Sequence, residues 1–165
     1  MSNKIFTSQF FDLSVKEKKE YLRKELFGLD LTIVYLDDEV DTLNFFADKV
    51  NELGLNAFAS SSIEKTLDYI ANNKAKILFI ISDFKMLPLD GFVFREKVRE
   101  MAAEIPFAIL SAFVDREMAL KGIELKISAF IQKPMKVSTF FELLQKEGEP
   151  RVEALKDDFE LLKSF

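Results

Sequence analysis

The chain's candidates for chemistry stand at the ends of short apolar runs. Asp37, Asp38 and Glu39 follow LTIVYL, Asp83 follows ILFIIS, Ser111 closes FAILS, and Lys133 with Pro134 follows ISAFIQ. Each of these polar types is costly inside an apolar layer, so their recurrence at the same end of successive runs points to one shared rim. The chain has 0 His and 0 Cys, so no Ser-His or Cys-His nucleophile pair can be built. Proton or phosphoryl chemistry must therefore run on carboxylates, lysines and hydroxyls. A hard cation such as magnesium is compatible, because carboxylates, carbonyls and water suffice to bind it. The missing Cys also excludes a disulfide framework, an iron-sulfur site and a zinc-thiolate site. Singly, each residue has a structural reading: Asp37 and Asp38 as acids at a helix N-terminus, Asp83 as a cap, Ser111 as a turn residue, Lys133 as a solvated charge. Three carboxylates, a hydroxyl and an ammonium at corresponding ends are a much less accidental set.

Those runs require an architecture that brings their ends together. Leu31 to Leu36, Asn56 to Ser60, Ile77 to Ser82, Phe107 to Ser111 and Ile127 to Gln132 read as strands. The first, third and fourth are almost continuously apolar, as in strands covered on both faces. Helical patterns lie between and after them, around Val40 to Leu53, Ile63 to Asn72, Phe92 to Ala103, Asp115 to Gly122 and Val137 to Lys146. Gly54 is a stop for the first, and Ser61 with Glu64 reads as a capping box for the second. Five βα units in a row imply an α/β fold, a doubly wound parallel sheet with helices on both faces. In such sheets ligands bind outside the carboxyl ends of the strands, where the strand order reverses.

With 165 residues, 48% hydrophobic and 31% charged, the chain is expected to form one globular domain with appendages. Residues 1–30 read as an N-terminal helical extension: Ser14 and Glu17 make a capping box for a helix from Val15 to Phe27 that Gly28 ends. Residues 31–146 are the sheet domain and 147–165 a C-terminal amphipathic helix. Gly148 and Pro150 are expected to break the chain before Val152, Leu155, Phe159 and Leu162, whose spacing makes a short apolar stripe. Two heptads are too few to stand alone, so this helix docks either on its own domain or on a second copy as a homodimer. A net charge of −5 without a basic stripe disfavours nucleic acid. No apolar run reaches membrane-spanning length and no leader is evident at the N-terminus, so the expected location is cytoplasmic.

The ordered motifs VYLDDE, ISDFKMLPLDGF, ILSA and AFIQKP resemble the receiver domains of two-component response regulators over Leu31 to Lys146. The resemblance implies a flavodoxin-like five-stranded sheet of order 2-1-3-4-5. It implies that Asp83 is the phosphoacceptor, that Asp37, Asp38 and Asp83 with the main-chain carbonyl of Lys85 hold Mg2+, and that Lys133 contacts the phosphoryl group across a cis bond to Pro134. Ser111 and Phe130 would be the switch pair. The implied donor is a partner histidine kinase or histidine phosphotransfer protein, and the protein itself would not be an enzyme beyond its own phosphoryl transfer and dephosphorylation. The 19 residues after Lys146 are too few and too acidic for a DNA-binding module, so output is expected through contact with a downstream protein. Lys126 and Ile127 replace a usual Gly-Ala pair, which suggests a different chain path there, and the usual loop proline stands one place later, at Pro88. Lys85 and Phe113, two residues past Asp83 and Ser111, are expected to slow loss of the phosphoryl group.

Two other classes compete less well. A haloacid-dehalogenase-like phosphatase needs a second Asp two residues past its nucleophile, where Asp83 is followed by Lys85 and Asp37 by Glu39. The five glycines are too dispersed to cradle a nucleotide's phosphates. The alternative within the family is a degenerate receiver acting as a phosphorylation-independent binding or dimerisation scaffold.

Overall fold

The computed structural model describes residues 4–26 and 28–163; Phe27 as a helix end and the side chain of Leu162 lie outside the described residues. Two helices, α1 (Ser8–Asp12) and α2 (Val15–Glu25), precede the sheet. Then come β1 (Thr32–Leu36), α3 (Val40–Glu52), β2 (Asn56–Ser60), α4 (Ile63–Asn73), β3 (Ile77–Asp83), α5 (Gly91–Ala102), β4 (Phe107–Ser111), α6 (Arg116–Glu124) and β5 (Ala129–Gln132). Helix α7 (Val137–Leu143) runs through a π turn (Leu144–Gly148) into α8 (Glu149–Lys163). All neighbouring strands are parallel and the order is β2-β1-β3-β4-β5, as expected. The order reverses between β1 and β3, which places the carboxyl ends of those two strands side by side.

β1, β3 and β4 are buried along their whole length, as their apolar continuity predicts. Their side chains divide by the two-residue period of a strand. Ile33, Tyr35, Phe79, Ile81, Ala108 and Leu110 join one core, and Val34, Leu36, Ile80, Phe107 and Ile109 the other, beneath α4 and α5. The period slips once: Thr32 faces Ile77 but Ile33 faces Phe79, so Leu78 and Phe79 enter the same core.

The terminal segments belong to the first core, where Ile5, Phe6, Phe10, Leu22, Val152 and Leu155 are all buried. Phe6 donates its backbone N–H to the Glu149 carboxylate, and its carbonyl accepts from Gln145 Nε2 at 3.0 Å. Arg151, 7% exposed, donates from Nε to the Ile77 carbonyl at 3.0 Å and from Nη2 to Lys74 at 2.8 Å, closing the amino end of β3. Contrary to expectation, Gly148 and Pro150 do not break the chain. A proline lacks the N–H for an α-helical bond and its ring meets the carbonyl four residues back. The wider π turn accommodates it and the helix continues.

One further expectation shifts. Ser62, not Ser61, caps α4, accepting from Lys65 N–H at 3.2 Å. The cause is local: Ser60 Oγ takes the Ser62 N–H at 3.0 Å and holds the chain extended one residue longer. The Ser14/Glu17 capping box forms as read, and both Gly28 and Gly54 adopt positive φ. At the end of α6, Lys126 takes the left-handed conformation, at φ 55°. The backbone there is held from outside, since Arg95 donates to the carbonyls of Leu125 (3.0 Å) and Lys126 (3.2 Å), and Arg99 to that of Glu124 (3.2 Å). A side chain in that region costs about 1–2 kcal/mol. Lys126→Gly is therefore expected to raise unfolding free energy by about 1 kcal/mol, part of the relief being offset by glycine's greater entropy when unfolded; urea titration measures it.

Candidate functional site

The carboxyl ends of β1 and β3 bring Asp37, Asp38 and Asp83 together, with one carboxylate oxygen from each within 4.8 Å of the others. Asp37 and Asp83 are buried and Asp38 is exposed, so the cluster opens on one side only. A donor set made only of oxygen at this spacing suits a hard cation such as Mg2+ and offers nothing to soft metals. Lys133, the residue after β5, is joined to Pro134 by a cis bond and places Nζ 2.7 Å from Asp83 Oδ1. A second cis bond, Leu87–Pro88, lies in the β3–α5 loop, where Asp90 accepts from Val93 N–H and caps α5. Lys85 is exposed in that loop.

The charges are strongly coupled. Burial pushes the Asp83 carboxyl up; Lys133 pulls it back, Asp37 and Asp38 push it up again, and it stays above its ordinary value. Burial alone would lower the Lys133 ammonium, but the hydrogen bond it donates to Asp83 and the charges of Asp83, Asp37 and Glu39 outweigh that and raise it. Lys133 is thus firmly cationic beside a carboxylate that is short of positive charge.

Of the expected switch residues, Ser111 adjoins the rim, its carbonyl accepting the Lys133 N–H at 2.9 Å. Ser111 donates its hydroxyl to the Phe113 carbonyl at 2.7 Å and accepts from Phe113 N–H at 3.3 Å, so it is engaged with its own loop. The Phe113 ring is 68% exposed. Phe130 is half-buried, lying so close over α6 that a Cβ on Gly122 would fall 2.4 Å from its ring. Edge-on aromatic contacts continue from Phe130 to Phe92 (6.3 Å) and from Phe92 to Phe84 (4.9 Å), the residue after Asp83. The sequence reading did not single out Phe84 or Phe92; their spacing only says that they flank the loop.

A cleft of about 730 Å3 opens beside Asp37 and Lys133. Phe45, Phe46 and Phe140 line it, and Leu13 and Lys18 of the N-terminal segment reach it. Tyr35 also lines it and donates its hydroxyl to Asp37. Tyr35 was missed at the sequence level, although its signal is visible: one phenol in an otherwise aliphatic run, two positions before an acid.

A doubly wound sheet of order 2-1-3-4-5, with acids at the ends of β1 and β3 and a lysine at the end of β5, defines the CheY-like receiver fold. The family model "Response regulator receiver domain" matches residues 33–145. The chain belongs to that family, whose members are signalling modules rather than conventional enzymes and interact in general with histidine kinases or phosphotransfer proteins. It is 23% identical over 133 residues to the two-component response regulator ARR12 of Arabidopsis thaliana, covering 81% of this chain and 22% of that one. It is also 23% identical over 119 residues to ARR10 of the same plant, covering 72% and 21%. The chain spans about a fifth of the length of these curated relatives. Among solved structures, a receiver protein from Pseudomonas putida has a TM-score of 0.65 at 23% identity, covering 71% of this chain and 97% of that one. The chemotaxis protein CheY4 of Vibrio cholerae gives 0.64 at 21%, covering 71% and 98%. These likenesses show the fold. Among the described residues no helix is long and apolar enough to cross a membrane.

Proposed function

We propose that this protein is a phosphorylation-dependent signalling receiver. Asp83 takes a phosphoryl group from a phosphohistidine of a partner histidine kinase or histidine phosphotransfer protein, and a protein-contact surface changes in response. The observation that carries this is the convergence of Asp37, Asp38, Asp83 and the Lys133 ammonium at one rim. An Asp83 carboxylate oxygen attacks phosphorus, the bond from phosphorus to the donor's imidazole nitrogen breaks, and the freed imidazole takes up a proton. Such a transfer is governed by alignment and charge rather than by covalent help from the protein. Mg2+, held by Asp37, Asp38 and Asp83 with the Lys85 carbonyl, supplies charge neutralisation between two anions when bound. Lys133 supplies a fixed positive charge from the other side, a task for which a compact ammonium is suited.

The acyl phosphate adds charge and strong acceptors beside Ser111. The Ser111 hydroxyl then leaves the Phe113 carbonyl for a phosphoryl oxygen, and Phe130 moves with it, which alters the face around α6 and β5. Phe113 and Lys85 retard water's approach, so the phosphoryl group is expected to persist beyond seconds. The test is an NMR comparison of wild type and Asp83→Asn with magnesium and beryllofluoride. Shifts that reach Ser111 and Phe130 in wild type and vanish in the variant are the expected result. Identical, unresponsive spectra in both proteins would instead favour a phosphorylation-independent scaffold.

A further inference from the structure

Tyr35 and Asp37 stand two positions apart at the end of β1, a spacing that puts both side chains on the same face. The Tyr35 ring is 1% exposed and lies 4.5 Å, centroid to centroid, from Phe46, which fixes where its hydroxyl points. That hydroxyl donates to Asp37 Oδ2 at 2.5 Å, while Asp37 Oδ1 accepts the Glu39 N–H at 3.0 Å. One rigid donor on each oxygen sets the plane of the carboxylate. Each carboxylate oxygen has two lone-pair directions, so one on each remains free.

We infer that Tyr35 is a positioning residue of the metal site, its hydroxyl turning Asp37 so that the free lone pairs face Asp38 and Asp83. The inference rests on reading the three carboxylates as a Mg2+ site. An aliphatic residue at position 35 would fill the same core, but it would leave Asp37 with one backbone donor and freedom to rotate. A partner behind a metal-binding carboxylate holds it in the orientation that the cation needs, and losing such a partner typically weakens metal binding 10- to 100-fold. The rival explanation is that a buried phenol simply needs an acceptor and takes the nearest one. That role would affect folding and leave the cation untouched.

The two are separated by calorimetric Mg2+ titration of the full chain as wild type and as Tyr35→Phe, which keeps the ring against Phe46. The expected result is binding about tenfold weaker in Tyr35→Phe. Affinity within twofold of wild type, or tighter, overturns the inference alone; absence of Mg2+ binding in wild type overturns the reading of the site and the inference with it. A second measurement needs no change at Tyr35. The chain has 3 Tyr and no Trp, so Tyr21→Phe/Tyr69→Phe leaves Tyr35 as the only tyrosine, excited selectively over Phe at wavelengths beyond Phe absorption. Its fluorescence should change with Mg2+ at the calorimetric midpoint, because the cation draws on the carboxylate that the phenol touches. A flat signal while Mg2+ binds overturns the inference.

Discussion

Lys133→Met is expected to take up phosphoryl from a small phosphodonor about 10²- to 10³-fold more slowly than wild type, the usual cost of deleting one preorganised positive or hydrogen-bonding group at a charge-developing centre. Time courses of intact mass with saturating Mg2+ measure it. A loss below about threefold would mean that Lys133 is only a structural partner of Asp83. Removing Lys133 also has a signed effect on stability without metal. The Asp83 carboxyl lies above its ordinary value because of burial, and Lys133 is what limits the rise. A carboxyl raised by folding binds protons in the folded chain that the unfolded chain has already released. Stability therefore falls as pH rises from the ordinary carboxylate value, about 4, toward the folded value. Lys133→Met widens that window, so its stability deficit against wild type should grow from pH 4 upward. Mg2+ should narrow it, since a cation replaces the missing charge.

The second large effect is expected far from the rim. Phe6→Ala should cost about 3–5 kcal/mol of unfolding free energy, the range for truncating a fully buried Phe. Phe6 is 1% exposed, meets Phe10 edge-on at 5.5 Å, and packs beneath Gly148. Urea denaturation measures the effect, and a loss under about 1 kcal/mol would mean that residues before α2 are a detachable appendage. Glu149→Ala should show a smaller loss of about 1–3 kcal/mol, because it leaves the buried Phe6 N–H without an acceptor.

The sheet and its rim were legible in the sequence because both follow from short-range regularities. Continuous apolar runs mark β1, β3 and β4, and the polar residues that end those runs are the ones that meet in space. The Ser14/Glu17 box was legible for the same reason: its partners are three residues apart. What escaped depends on contacts distant along the chain or on one residue's geometry. Pro150 looked like a break because its helix-breaking effect is local, whereas the π turn that absorbs it is held by Phe6, Glu149 and Arg151 against the sheet. The left-handed turn at Lys126 was not legible, because Arg95 and Arg99, which hold the α6 end in place, lie on another helix. Tyr35 read as one more apolar β-former, since its ring fits the run and the only mark of its hydroxyl is the acid two positions on. The placement of Ser111 against Phe113 follows from a hydroxyl rotation that no spacing encodes.

The clasp between Phe6 and Glu149 joins residues 143 positions apart. A ribosome adding roughly 5–20 residues per second needs on the order of ten seconds to pass from one to the other. Through that interval Ile5, Phe6 and Phe10 have been made but much of the core that will cover them has not. Until the helix that carries Glu149 and Arg151 has been made, this apolar segment lacks part of the cover it has in the folded chain.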